Sequence, residues 1–408
     1  MMTKKIEYRR KIAFINRTKE LEFLSGWIND EPNELLFIYG PKSSGKTTLL
    51  MKFMDLNLND KQYNIKNFNL RAMLIANYTD FIQAFFEVDY SKSSQEIKQR
   101  AEYSLKVFKL SKEVKQSLEN KLIDPFVVMK KELQKIVKKG KRPVIIIDEL
   151  QALEDIYLNG QRELIKELFN FFVAMTKEFH LCHVIIASSD GYFMKRLFED
   201  SKLEKTSRFL GVDYLDETDT KYWLHHIEEE SAIKNYTLTT KQIDVIWQYI
   251  GGSMFEISRI LADLCSSAKN KKVSDDHLDH VINGMITRNR ARFTHYARLN
   301  RKKIILFREI YKVCLYQNCF NDMHLNVLIE NNIFDNTALT EELNKLVQYN
   351  FLAFQPAEST YQLQGNSMFY GLKSYVESVP ESVLKRIEKN YPMKESNQLA
   401  QKFTNVPR

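Results

Sequence analysis

Leu35-Leu36-Phe37-Ile38-Tyr39-Gly40-Pro41-Lys42-Ser43-Ser44-Gly45-Lys46-Thr47-Thr48-Leu49-Leu50 is the stretch that sets the architecture. An apolar run enters a glycine-bounded loop and leaves it as an amphipathic helix, matching the spacing G-x-x-x-x-G-K-[ST]. Glycines let backbone N–H groups turn inward on a phosphate chain, and the first turn of the following helix adds its positive dipole end. Gly40, Pro41, Lys42, Ser43, Ser44, Gly45, Lys46, Thr47 and Thr48 are therefore the expected nucleotide cradle. Lys46 is expected at the β- and γ-phosphates, in both a binding and a catalytic role, and the Thr47 hydroxyl on Mg²⁺. A glycine-containing strand-to-helix turn without a ligand is the plain alternative, and the strand before and helix after the loop favour the nucleotide.

A second stretch completes the pattern. Arg142-Pro143-Val144-Ile145-Ile146-Ile147-Asp148-Glu149-Leu150-Gln151 is an uninterrupted β-branched run ending in two acids, as expected of a central parallel strand covered on both faces. Asp148 is the expected metal residue, and Glu149 the base that orients the attacking water. A third strand, His183-Val184-Ile185-Ile186-Ala187-Ser188-Ser189-Asp190, ends in small hydroxyls. Ser188 is either a sensor of the γ-phosphate and water or part of a serine turn. Arg208, just before a fifth strand, is a candidate for stabilising transition-state charge in its own or a neighbouring subunit, or else a surface arginine.

Composition narrows the class. The chain has 408 residues, 44% of them apolar and 12% aromatic, enough for several packed cores. No run approaches the ~18 apolar residues of a membrane helix, and the basic N-terminus lacks a signal-peptide core, so a cytoplasmic protein is expected. Cys182, Cys265, Cys314 and Cys319 lack C-x-x-C spacing, which points to buried thiols rather than zinc or a disulfide framework.

Organisation follows from where strand signals stop. An α/β nucleotide domain is expected over residues 1–215, with a polar, lysine-rich helical insertion at about 80–125. A helical lid is expected over 216–295, with caps at Thr239 or Thr240 and at Ser274, and a Gly251-Gly252 stop between helices. From 296 to 390 the order helix, helix, helix, hairpin is that of a winged helix, followed by a polar tail over 391–408. The net charge of +8 has a local source: Arg288, Arg290, Arg292, Arg298, Arg301, Lys302, Lys303 and Arg308 fall in a window free of Asp and Glu. That window is a candidate surface for double-stranded DNA, the alternative being a solvated helix face. The expected third helix of the module, Thr337 to Leu346, is not itself basic, which suits contact with a protein partner equally well.

Taken together, these residues resemble the archaeal P-loop ATPase family, in the signal-transducing branch of ATPases allied to AAA+ proteins and distantly to origin-recognition initiators. The matching pieces are Phe14-Ile15-Asn16-Arg17 with Glu20-Leu21, Tyr39 through Thr48, Ile147 through Gln151, Ala187-Ser188-Ser189, and Gly251-Gly252, within a span of about residues 10 to 375. The resemblance implies a P-loop fold with a central parallel sheet, ATP or ADP with Mg²⁺, Asp148 and Glu149 as metal and water residues, and Asn16-Arg17 near the adenine. Where relatives carry a proline after the double glycine, this chain has Ser253-Met254-Phe255. Its arginine nearest to that of the initiators is Arg259. The expectation is a slow, Mg²⁺-dependent ATPase acting as a molecular switch that reports to DNA or a protein, or alternatively a DNA-associated ATPase of replication, recombination or a mobile element.

Overall fold

The computed structural model describes residues 13–89, 107–158, 161–199, 205–268, 270–298, 300–383 and 385. They form two units. The first runs over Asn16–Gly40 and Gly45–Asp213; the second takes in Pro41–Ser44 and the chain from Tyr214 on, with the residues up to Ile15.

In the first unit the elements in chain order are α1 (Thr18–Asn29), β1 (Leu35–Tyr39), α2 (Lys46–Asn57), β2 (Tyr63–Asn69), α3 (Tyr78–Phe85), β3 (Phe86–Val88), β4 (Phe108–Leu110), α4 (Lys112–Glu119) and α5 (Pro125–Lys138). There follow β5 (Arg142–Asp148), β6 (Tyr157–Leu158), β7 (Arg162–Glu163), α6 (Leu164–Val173), β8 (His183–Ala187), α7 (Gly191–Glu199) and β9 (Ser207–Gly211). Five strands make one sheet in the order β2-β5-β8-β1-β9, and every pairing in it is parallel. The apolar runs account for this. All residues of β1 and β8 are buried, as are six of the seven in β5, so helices must cover both faces. Because the strands run the same way, the loops after β1, β2, β5 and β8 gather along one edge, and that edge carries the chemistry.

One expectation needs correction here. The lysine-rich insertion is not purely helical: β3 and β4 pair in parallel, Phe86 opposite Phe108 and Val88 opposite Leu110. The buried rings of Phe68 and Phe85 stack at 4.2 Å, and Phe108 lies against Phe68 at 6.1 Å, so aromatic burial overrides the polar composition around it. Residues 90–106 of that insertion lie outside the described residues. On α1 the core-facing side is Leu24, Trp27 and Ile28, with Leu21 only half-buried. Ala13 and Ile15, rather than Phe14, are the buried residues of the segment before it.

The second unit continues with α8 (Glu217–His225), α9 (Ile227–Ser231), α10 (Thr240–Ile250), α11 (Met254–Ser267), α12 (Asp275–Ala297) and α13 (Arg301–Cys314). Then come β10 (Cys319–Phe320), α14 (Val327–Glu330), α15 (Asn336–Gln348), β11 (Leu352–Gln355), β12 (Thr360–Leu363) and α16 (Asn366–Glu377). Thr239 and Gln242 close a reciprocal capping box on α10, and Ser274 Oγ accepts from the His277 amide at the start of α12. Strands β10, β12 and β11 form an antiparallel sheet in that order. The division expected at residue 295/296 falls in the last turn of α12, which runs on unbroken and packs along α16. There Gly371 lets the backbones close in, since a Cβ at that position would stand 2.5 Å from Asn289 Cβ. Asn289 Nδ2 donates to Ser367 Oγ (3.0 Å), and Ser367 Oγ lies 2.7 and 2.9 Å from the two carboxylate oxygens of half-buried Glu256 on α11. The tail from residue 391 lies outside the described residues.

Candidate active site

The loop after β1 has the backbone its glycines allow. Gly40, Ser43 and Gly45 have φ of 149°, 67° and 96°, and the left-handed Gly45 caps α2, with Lys46 as its first residue. Lys46 is buried and its Nζ donates to the Gly40 carbonyl at 3.0 Å. Burial lowers its pKa to about 8, against the opposing pull of Glu149 and Asp148. The ammonium thus sits within the electrostatic reach of both acids.

The register of the sheet brings those acids to the loop. Asp148 ends β5 beside Asn69 of β2 and Ala187 of β8, and Thr47 Oγ1 donates to Asp148 Oδ2 at 2.9 Å. Burial, the largest influence, raises the Asp148 pKa, and the Thr47 hydrogen bond pulls the other way. A hydroxyl and a carboxylate in contact are hard oxygen donors suited to Mg²⁺, which keeps waters and substrate phosphates as its remaining ligands. Among the described residues no group of three or more His, Cys, Asp and Glu could hold a metal by itself. The donor set therefore fits an ion shared with a nucleotide rather than an all-protein site.

Glu149 has left-handed backbone (φ 64°, ψ 51°) and is 7% exposed. Its amide is tied to the Ala187 carbonyl at 2.8 Å. One carboxylate oxygen accepts from Arg71 Nη2 and from Ser189 Oγ (3.0 Å), and the other from Gln151 Nε2. Gln151 Oε1 in turn accepts from Ser188 Oγ at 2.9 Å, and the Ser188 amide donates to the Ile38 carbonyl at 3.1 Å, at the mouth of the phosphate loop. Glu149 and Ser188 are thus joined through Gln151. Arg71 and Gln151 carry no role in the sequence reading. The available signal for Arg71 was its position two residues past Asn69, just beyond the end of the strand that pairs with β5.

Other expected site residues lie elsewhere. Arg208 is the second residue of β9, opposite Leu36 at the amino half of β1. Its Nε is paired with Glu34 at 2.6 Å, and its guanidinium lies over the Phe23 ring. Parallel strands put the phosphate loop at the other end, so within its own chain Arg208 is not brought to the phosphates. Arg17 is buried at the start of α1, where its guanidinium clamps Glu20 (2.8 Å) and the Asp213 carbonyl (2.7 Å); Asn16 Oδ1 accepts from the Arg17 amide at 3.0 Å. In the second unit Gly252 approaches the chain's own backbone. Its carbonyl accepts from the Leu215 amide at 3.1 Å, and a Cβ there would fall 1.8 Å from the Leu215 oxygen.

With this geometry in place, the family described as an ATPase domain predominantly from Archaea matches residues 14–260, more than half of the chain. The chain belongs to that family. Among its relatives, one uncharacterized ATP-binding protein of Methanocaldococcus jannaschii is 31% identical over 371 residues, covering 90% of this chain and 95% of its own length. A second from the same organism is 36% identical over 251 residues, covering 61% and 70%. Among solved structures, the Walker-type ATPase PABY2304 of Pyrococcus abyssi superposes with a TM-score of 0.60 at 14% identity, covering 88% of this chain and 96% of that one. The Aeropyrum pernix ORC2 protein, in its ADPNP-ADP complexes, gives 0.53 at 14% identity, covering 95% and 97%. At such identities the two structures speak to fold, an α/β P-loop architecture around a central parallel sheet. No helix among the described residues is long and apolar enough to cross a membrane.

Proposed function

We propose that this archaeal ATPase is an ATP-binding, Mg²⁺-dependent molecular switch with slow turnover, whose nucleotide state is passed to a winged-helix module that contacts DNA. The observation that carries the nucleotide reading is the 2.9 Å contact between Thr47 and Asp148, made by residues 101 positions apart in sequence, with buried Lys46 at the same loop. The names of the M. jannaschii relatives as ATP-binding proteins, and the nucleotides in the A. pernix ORC2 structure, point the same way. Bound Mg²⁺ would be held by Thr47 Oγ1 and Asp148 and would supply positive charge to the phosphate oxygens. Lys46 neutralises phosphate charge, the loop amides orient the chain, and Glu149 positions the water. Both Glu149 oxygens are engaged by Arg71, Ser189 and Gln151. That arrangement supports slow turnover, because three of the carboxylate's four acceptor positions are taken and a single one, on the oxygen facing Gln151, remains for a water.

Three helices (α13, α14, α15) and a sheet in which β10 pairs with β12 follow winged-helix order, and this supports the assignment of the C-terminal module. Coupling is supported by Tyr214. Its hydroxyl lies 3.1 Å from the Lys42 carbonyl of the phosphate loop and 3.2 Å from Gln364 Oε1 at the end of β12. One phenolic proton serves only one acceptor at a time, so a shift of the loop changes the bond available to Gln364. DNA as partner is supported by Arg288, Arg290, Arg298 and Arg301, which are exposed and make no ion pair among the described residues. In contrast, Lys303 is paired with Glu342 (3.3 Å) and Arg292 is bonded to backbone. The deciding experiment is Glu149→Gln. Nucleotide affinity is expected to stay within a few-fold while steady-state hydrolysis falls by about 10²–10⁴; unchanged hydrolysis removes Glu149 from the mechanism, and an absence of nucleotide binding by the native protein overturns the reading.

A further inference from the structure

The second unit carries an open groove of about 710 Å³ between one face of α12 and the turn from α15 into β11, lined by Arg288, Arg292, His295, Tyr296, Tyr349 and Phe351. Two of these side chains are fixed. Arg292 Nη2 donates to the Tyr349 and Asn350 carbonyls (2.8 and 3.1 Å), with its guanidinium 4.7 Å from the Phe351 ring centre. The Tyr296 hydroxyl donates to Glu342 at 2.8 Å. The Tyr296 ring meets Phe351 at 5.3 Å and Tyr349 at 5.8 Å. Tyr349 is different, being 58% exposed, its ring set at a steep angle to that of Tyr296 and otherwise largely open to solvent. Around it stand the exposed Arg288 and His295, with Arg298 a further turn along the same helix face. Glu256, the acid that interacts electrostatically with both groove arginines, is half-buried and engaged with Ser367.

A bare aromatic face rimmed by cations suits a flexible polyanion that carries flat apolar rings. Duplex DNA satisfies the cations but keeps its base faces stacked inside, leaving Tyr349 without a use, and α15 brings Glu341 and Glu342 against a lone Lys345. An acidic peptide satisfies the cations and leaves the ring face unmatched. We propose that this groove binds single-stranded DNA, with an unpaired base stacked on Tyr349 and the flanking phosphates held by Arg288 and Arg298. The proposal rests on the reading of DNA as partner and narrows it to the unpaired strand.

The test is fluorescence anisotropy on the full chain with a labelled oligothymidylate, its duplex counterpart and an oligouridylate of equal length, at about 50 and 200 mM salt. The unpaired DNA is expected to bind at least about tenfold more tightly than the duplex. Tyr349→Ala is expected to weaken it by about tenfold with the salt slope kept, and Tyr349→Phe to restore it, as stacking without the hydroxyl requires. Arg288→Ala is expected to lower the salt slope by about 0.7. Equal affinity for duplex, tighter binding of the RNA, or an unaltered Kd in a folded Tyr349→Ala variant overturns the groove assignment. Duplex binding without single-strand binding overturns it while leaving the DNA reading intact, and binding of neither strand form overturns both.

Discussion

Lys46 lies where charge matters most and where burial makes charge costly. With its pKa lowered to about 8, it is protonated below that pH, ready for phosphate, and loses its proton above it. A bound polyanion favours the charged form, so the pKa rises in the complex. Nucleotide affinity is then expected to be flat below pH 8 and to fall up to about tenfold per pH unit above it. Calorimetric titration between pH 7 and 9.5 checks this, with weak, pH-independent binding expected for Lys46→Ala. Arg71 offers a second test. If its bond to Glu149 restrains the water-orienting carboxylate, Arg71→Ala raises steady-state hydrolysis several-fold at little change in nucleotide affinity; a fall in rate would make Arg71 a promoter of the reaction instead. These two residues also mark what a sequence can reveal. Lys46, Thr47, Asp148 and Glu149 are legible because each belongs to a run whose local pattern announces it. Arg71 and Gln151 act through contacts set by strand order, since β2 neighbours β5 only once the sheet is assembled. Arg208 was read at the amino end of a fifth strand, which is where β9 carries it; what the sequence could not show is that this end lies opposite Leu36, away from the phosphate loop of its own chain.

The parallel sheet was readable at the level of elements because its strands are unmixed apolar runs, and α10 and α12 because Thr239 and Ser274 are chemically suited to cap them. The short pair β3 and β4 was not, since a three-residue alternation such as Phe108-Lys109-Leu110 is swamped by Lys106, Lys112 and Lys115 around it. Only their burial against Phe68 and Phe85 stabilises them as strands. The double glycine between α10 and α11 was visible, but its purpose was not. Gly252 is needed for contact with the Leu215 backbone, and no side-chain rotation can relieve a Cβ placed 1.8 Å from that carbonyl oxygen. Gly252→Ala is expected to cost about 1–3 kcal/mol or more of stability. Urea denaturation is the measurement, and a midpoint equal to the native value would show that the approach is loose.

For the molecule as a whole, the proposed communication between nucleotide and DNA makes Tyr214 the residue to remove. Tyr214→Phe keeps the ring and deletes the proton shared by Lys42 and Gln364. ATP binding and DNA binding are each expected to persist, while the difference in DNA affinity between the ATP and ADP states collapses from the roughly 5- to 150-fold typical of such couplings toward unity. DNA titrations in both nucleotides decide it, and an undiminished difference would route the signal elsewhere. The uninterrupted course of α12 carries a lesson for anyone dissecting this protein. A gene fragment beginning near codon 296 would encode a product stripped of Asn289, with Gly371 and Ser367 facing water on a bared apolar flank. Such a piece should precipitate or cling to chaperones, whereas one starting at Tyr214 retains the whole helix.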